Sequence, residues 1–268
     1  MQDALFATDD IITANLSLAA RAYLAALGIA DPDGDAEIAP GLRAYEVIWL
    51  HSLAIGYAPA YLRENADGIR GDWPRIPLPA SRNALLASAA LGKQIAALLD
   101  TEHPVPGVTQ SPGRAEIKPI AVLARGGGSL NPTAGDLDVT AGWGHAGKEG
   151  VTMPGKGRVV ERPCQTFEVF VNLESPQAAT TFDIYLNDVA YWRNVPARVW
   201  DYTIGGYQVI TKWLSYREKA LLGRGLTIEE AQEVTHMARR IAALVLLEGT
   251  LDANYRSVEG AVYAWESQ

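Results

Sequence analysis

The side chains able to do acid, base or ligand chemistry are few and scattered. The four histidines, His51, His103, His145 and His236, share no His-x-x-x-His spacing, and Cys164 is the only cysteine. A zinc site would therefore need ligands from distant segments. The plainer reading puts His51 and His236 on helix faces and His103 and His145 in loops. Asp136 with Asp138, and Asp183 with Asn187-Asp188, offer carboxylates at short spacing. Such pairs in turn-rich sequence more often cap turns than form acid/base dyads. No Gly-x-Ser-x-Gly nucleophile elbow is present.

A second candidate is the glycine-rich stretch from Arg125-Gly126-Gly127-Gly128-Ser129 through Gly142-Trp143-Gly144-His145-Ala146-Gly147-Lys148 to Met153-Pro154-Gly155-Lys156-Gly157-Arg158. It holds neither a Gly-x-x-x-x-Gly-Lys-Ser/Thr loop nor a Gly-x-Gly-x-x-Gly that opens a helix after a strand, so a nucleotide-phosphate cradle is disfavoured. Turns and long loops are expected instead. The tryptophans are more informative. Trp73, Trp143, Trp192 and Trp213 adjoin Pro, Gly, Arg or Lys, and Trp200 lies two residues from Arg198. Large aromatics at such junctions anchor cores, or less often stack on a ligand.

Three regions must position these residues. The first, to about residue 102, is rich in Ala and Leu and predicts helices over Asp10–Leu27, Gly41 to about Asn65, and Ser81–Leu99. Ser81 is an N-cap candidate for the last, where Leu85, Ala89, Gly92, Ile95, Ala96 and Leu99 recur at helical spacing. Asp72-Trp73-Pro74-Arg75-Ile76-Pro77-Leu78-Pro79 holds three prolines in six residues and must be extended. From about 103 to 200 the pattern shifts to Gly, Pro and short β-type runs. Strands are expected over Ile117–Ala124 and Cys164–Leu173, with weaker ones over Leu137–Ala141 and Arg158–Glu161. The third region is helical again, from Tyr207 to about Leu222 with an end near Gly223. A Thr227-Ile228-Glu229-Glu230 capping box then opens a helix buried along Ala231, Val234, Ala238, Ile241 and Val245, reaching about Leu247. The expected fold is α+β: helical N-terminal and C-terminal parts flank a small, mostly antiparallel central sheet with long Gly-rich loops, because no crossover helices join the strands. The expected domains are 1–102, a helical linker or coupler, and 103–268, with its β and loop region at 103–200 and C-terminal helices at 201–268.

Composition sets limits. Of 268 residues 48% are hydrophobic and 20% charged, which is a globular balance. One cysteine excludes an internal disulfide and fits a reducing, cytoplasmic setting. The first ten residues lack a signal-peptide pattern, and the most apolar run, Ile241–Leu247, is too short to span a membrane. The net charge of −8, from 23 Lys and Arg against 31 Asp and Glu, excludes an indiscriminate nucleic-acid coat. It is unevenly spread: residues 110–225 hold 13 basic and 11 acidic side chains, and the rest hold 10 and 20.

Several spaced strings resemble one family. Tyr202-Thr203-Ile204-Gly205-Gly206-Tyr207-Gln208-Val209-Ile210-Thr211-Lys212-Trp213-Leu214-Ser215-Tyr216-Arg217-Glu218, then Leu222-Gly223-Arg224-Gly225-Leu226-Thr227, is similar to the C-terminal end of large adenine-specific methyltransferases of restriction-modification systems. His51-Ser52-Leu53-Ala54-Ile55-Gly56-Tyr57-Ala58-Pro59-Ala60-Tyr61-Leu62 and Asp72–Pro79 sharpen the likeness to type ISP, single-polypeptide, enzymes. There they resemble the linker helices leading from the methyltransferase into the specificity domain. The likeness runs from about residue 40 to 258.

The resemblance implies a target-recognition domain for double-stranded DNA that works with the methyltransferase and motor or nuclease portions of a larger enzyme. The chain itself lacks the Asn/Asp-Pro-Pro-Tyr/Phe element that holds a flipped adenine; Asn131-Pro132-Thr133-Ala134 has neither the second proline nor the aromatic. No catalytic residue, metal or cofactor is expected in it, and S-adenosylmethionine is implied only for the full-length enzyme. The chain is expected to be the end of a longer protein, and not an enzyme by itself. Base reading uses Arg, Lys, Asn and Gln at base edges, with phosphate contacts fixing register. The expected DNA-facing residues are Arg114, Lys118, Arg125, Lys148, Lys156 and Arg158 in the Gly-rich loops, with Gln208 and Lys212 at the Gly-Gly-Tyr-Gln element. Two other classes remain open: an interaction module packing on a separate methyltransferase domain, and a free-standing enzyme using His145 or Asp188.

Overall fold

The computed structural model describes residues 13–29, 32–165 and 180–265. Its contacts group the chain into two compact units, residues 1–100 with 247–268, and residues 101–246.

In the first unit the Ser17 hydroxyl accepts from the Ala20 N–H at 3.2 Å and starts α1, Leu18–Ala26. Residues 13–17 of the expected Asp10–Leu27 helix are not helical, and 10–12 lie outside the described residues. The expected helix over 41–65 is broken. A hairpin of β1 (Glu37–Ala39) and β2 (Leu42–Arg43) precedes α2, Val47–Gly56. Ala58 is extended ahead of Pro59, as the proline ring requires, so α3 (Pro59–Glu64) starts apart from α2, and non-helical Asn65 divides it from α4 (Ala66–Gly71). The 72–79 segment holds no helix, and Pro79 bridges to Val262. Ser81 caps α5 (Arg82–Leu99) through the Ala84 N–H at 3.3 Å, and Leu85, Ala89, Gly92 and Ile95 are buried as their spacing predicts. The core joins Tyr23 and Leu24 of α1, Leu42, Val47 of α2, and Leu85 and Ala89 of α5.

The second unit is built on one antiparallel sheet in the order β3-β8-β7-β6: Val122–Arg125, Ala190–Pro196, Thr180–Tyr185 and Arg158–Pro163. A separate hairpin pairs β4 (Gly144–Ala146) with β5 (Thr152–Pro154). After β8 come α6 (Ala197–Trp200), a short hairpin of β9 (Thr203–Ile204) and β10 (Tyr207–Gln208), α7 (Val209–Ser215), α8 (Lys219–Leu222) and α9 (Ile228–Glu259). Helices before and after the small sheets give the α+β class.

The local differences from sequence have physical causes. Residues 117–121 form turns, with Ile117 and Ile120 buried, so the strand is confined to β3. Leu137 and Val139 are core residues of a loop whose Thr140 and Ala141 N–H groups both donate to the Leu186 carbonyl, so no strand forms over 137–141. The expected Cys164–Leu173 strand is absent at Cys164 and Gln165, and its remainder lies outside the described residues. The helix expected from Tyr207 to Leu222 becomes β10, α7 and α8. It is interrupted where the Glu218 carboxylate accepts from the Gly142 and Trp143 N–H groups and the Lys219 N–H donates to the Val139 carbonyl. The capping box is present, with Thr227 Oγ accepting from the Glu230 N–H at 3.2 Å and the Glu230 carboxylate accepting from the Thr227 N–H at 2.8 Å. The whole predicted stripe from Ala231 to Val245 is buried, and α9 continues beyond it to Glu259.

Candidate nucleic-acid interface

Trp143 packs among the segments that carry Lys148, Lys156 and Arg158. Its ring is fully buried, it meets Trp200 edge-on at 5.8 Å, and its indole N–H donates to the Tyr185 carbonyl at 2.8 Å. Burial of one such ring is on the order of 4–6 kcal/mol of transfer free energy. Gly157 makes room for it, and two neighbouring glycines admit close approaches of backbone. A Cβ at Gly157 would fall 2.2 Å from the Trp143 ring, one at Gly155 2.1 Å from the Gly142 carbonyl, and one at Gly144 1.9 Å from the Ser215 carbonyl. These three glycines are thus committed to packing between protein segments. The β4–β5 hairpin, which Gly144 opens and Gly155 follows, packs on α7, and its connecting turn carries Lys148.

The expected cations fall into two groups. Lys118, Lys148 and Lys156 are exposed, and among the described residues none of their ammonium groups has an ion-pair partner. The others are engaged. Arg125 binds the buried Asp136 carboxylate at 2.8 Å, which also accepts from the Asn131 N–H. Arg158 lies 4.2 Å over the Tyr185 ring and pairs with Asp188 at 3.0 Å. Arg114 stands 3.8 Å from Glu116. The Gln208 side chain donates to the Trp200 carbonyl and accepts from the Thr211 hydroxyl, which uses both ends of its amide.

Lys212 has a different setting. Its ammonium lies 4.8 Å from the Tyr207 ring and 4.7 Å from the Tyr216 ring, and both rings are exposed. A hydrogen bond with the Tyr216 hydroxyl raises its pKa, burial works against the shift, and the charge is retained at neutral pH. Arg217 stacks on Trp213 at 3.7 Å beside it, and the Trp213 indole N–H reaches Glu233 at 3.3 Å. The family resemblance singles out Lys212 at the Gly-Gly-Tyr-Gln element but neither the two tyrosines nor Ile204 as DNA-facing. The signal available for them is the Gly205-Gly206 turn, which fixes what the following residues present.

Several other ionisable groups have internal partners. His51 is buried, its Nδ1 2.8 Å from the Ser88 hydroxyl and its Nε2 2.9 Å from the Pro77 carbonyl. Burial lowers its pKa, against the opposing pull of the Pro77 contact. Asp183 is held by Arg162 at 2.9 Å and by the Asn194 N–H at 3.0 Å. Asn187 bridges the Asp136 and Asp138 carbonyls. His145 and Asp188 are both exposed, on β4 and in the β7–β8 turn. An open cavity of about 540 Å³ is walled by Val122, Leu123, Leu130, Leu137 and Ile228, with His236 and Arg239 as its ionisable groups. Among the described residues no cluster of three or more His, Cys, Asp or Glu could hold a metal, and no helix is long and apolar enough to cross a membrane.

Among the described residues, buried polar side chains have partners, and exposed cations and aromatics lie on turns and at the ends of elements. The chain belongs to the type ISP C-terminal specificity domain family, whose model matches residues 48–244. No curated protein matches it. A solved structure described as a cryoEM structure of a DrdV–DNA complex is similar at 17% identity and a TM-score of 0.41, over 92% of this chain and 20% of that one.

Proposed function

We propose that this chain reads DNA sequence as the target-recognition part of a type ISP restriction-modification adenine methyltransferase. Methyl transfer with S-adenosylmethionine, and cleavage, fall to other portions of that enzyme. Family membership supports a specificity role. The observation that carries the DNA reading is that Lys148 and Lys156 are exposed, without an ion-pair partner among the described residues, on the β4–β5 turn and the loop after β5 that pack beside Trp143, in a protein whose net charge is −8. Clustered cations on loops bind phosphate locally where the whole molecule would repel it.

The test is binding to duplexes selected by this chain from a randomised pool. Reversing Lys148, Lys156 and Arg158 together to glutamate is expected to abolish binding. The Lys148→Glu, Lys156→Glu pair breaks no ion pair and is expected to lower the slope of log affinity against log salt by about two. Affinity and slope unchanged from wild type would overturn the loop assignment.

A second reading, docking on a separate methyltransferase portion, is favoured by Trp73. It is 85% exposed beside a shallow cleft formed with Asn65, Ile69 and Arg75. Weak duplex binding by this chain, restored by adding the methyltransferase portion, would support that role. Trp73→Ala should then abolish the restoration.

A further inference from the structure

The β9–β10 hairpin is two residues long on each side and turns through Gly205 and Gly206 alone. Both glycines have positive φ, 58° and 82°, as a tight two-residue turn of the primed type requires. No atom lies within 4 Å of where a Cβ would stand on either, so the tip projects into open space. Ile204 and Tyr207 are direct cross-strand partners, and such partners project from the same face. Their exposures are 54% and 61%, large for an isoleucine and a tyrosine placed side by side. Gln208, next in the chain, is tied by its amide to the Trp200 carbonyl and the Thr211 hydroxyl, which fixes the base of the hairpin. The Lys212 ammonium lies over one face of the Tyr207 ring, 4.8 Å from its centre, and also over the Tyr216 ring, which leaves the other face of Tyr207 for stacking.

An apolar tip on a fixed base, with a cation set behind its ring, has the parts of a wedge: side chains that enter a base stack and a charge that meets the adjoining phosphate. We propose that the Ile204–Tyr207 pair enters the duplex between adjacent base pairs and unstacks that step, with Lys212 holding the neighbouring phosphate. The inference rests on the DNA-reading function above and adds that the bound DNA is distorted at one step. Glycine at 205 and 206 then has a second consequence, since a side chain at the tip would widen the wedge.

The test uses this 268-residue chain and a duplex it selects from a randomised pool. Unstacked thymines are read by permanganate reactivity and unstacked purines by diethyl pyrocarbonate. Wild type is expected to create one hyper-reactive step within its footprint. Ile204→Ala with Tyr207→Ala should remove that reactivity and weaken binding by about 5- to 100-fold. Tyr207→Phe, which keeps the ring, should preserve the reactive step. Near-ultraviolet circular dichroism of the Trp143 and Trp200 signals checks that the double variant stays folded; if it does not, Ile204→Ser and Tyr207→Ser are tested singly against the same readout. A bound duplex with no reactive step overturns the wedge and leaves the DNA-reading function standing. A reactive step that survives the double variant also overturns it and leaves the tip to a protein partner. Failure to select any duplex, with the methyltransferase portion added as well as without it, overturns the reading function and the wedge together.

Discussion

Gly157 and Gly205 both have left-handed backbone, yet replacing them should have different consequences. At Gly157, φ is 61° and a Cβ would lie 2.2 Å from the ring of buried Trp143, so Gly157→Ala adds overpacking to backbone strain. A loss of about 2–4 kcal/mol in denaturant unfolding is expected. At Gly205 the surroundings are open, so Gly205→Ala should cost only the backbone term of about 1 kcal/mol. Equal losses would show that Trp143 does not set the cost. His51 gives a pH-dependent counterpart. Its folded pKa lies below 6.5 because burial penalises the charged form, so the unfolded chain takes up a proton that the folded chain refuses. Stability should therefore fall as pH drops below about 6.5. His51→Asn should lower stability at pH 8 and flatten that decline, leaving the part due to His236, whose pKa is also lowered by burial. An unaltered decline would remove His51 as its source. Residue types alone disclosed the glycines and cations. They did not disclose that Gly144 packs on the Ser215 carbonyl and Gly157 on the Trp143 ring, or that Arg125 is spent on Asp136 and Gln208 on Trp200 and Thr211, since those pairings depend on the folded path of the chain and follow no fixed spacing in the sequence.

Elements whose hydrogen bonds are local were the legible ones. α5 starts at Ser81, and α9 opens at Thr227, because the cap is written within four residues. The strands β7 and β8 were not anticipated. Thr180–Tyr185 mixes an apolar alternation with Asp183, and β8 passes through Asn194 at φ 61°, both polar groups being satisfied by each other and by Arg162, Thr181 and the Pro119 carbonyl. Pairing across the sheet, invisible to a local pattern, offsets those polar residues. The α9 cap also carries a measurable charge effect. Arg224 binds both Glu230 carboxylate oxygens, at 2.6 and 2.9 Å, and with the Thr227 N–H holds the Glu230 pKa at about 2, against the opposing effect of burial. A depressed carboxylate contributes stability above its unfolded pKa of about 4.5 and loses that contribution as pH falls towards 2. Glu230→Gln should lower the thermal midpoint at pH 7, and the gap from wild type should close between about pH 4.5 and 2. A gap independent of pH would assign the cap to hydrogen bonding alone. Thr227→Ala removes the reciprocal bond and should cost about 1 kcal/mol at pH 7.

Over the whole molecule, charge and chain path follow different rules. The −8 total sits mainly outside residues 110–225, where basic and acidic groups nearly balance, so the acidic count describes the helical parts and leaves the cation-bearing loops available for phosphate. Composition shows that division because it is a property of segments. It carries no trace of residues 247–268 grouping with residues 1–100, which is a property of chain path. Within that unit Leu251, Tyr255 and Val258 are buried, Asp252 accepts from the Ala60 N–H at 2.7 Å, Asn254 reaches Ser88 at 3.0 Å, and Arg256 pairs with Glu64. Three buried apolar side chains at about 1.5–3 kcal/mol each approach the 5–15 kcal/mol that holds a domain folded. Ending the chain at Leu246 is therefore expected to unfold residues 13–100, seen as loss of amide-exchange protection across α2 and α5. The indole N–H groups of Trp143 and Trp192 should keep their protection, because their acceptors, the carbonyls of Tyr185 and Ala231, belong to the unit that keeps its chain. Protection of α2 and α5 equal to that of the full chain would mean that the N-terminal helices hold together without the C-terminal turns of α9. The buried contacts of Leu251, Tyr255 and Val258 would then contribute far less than their area implies.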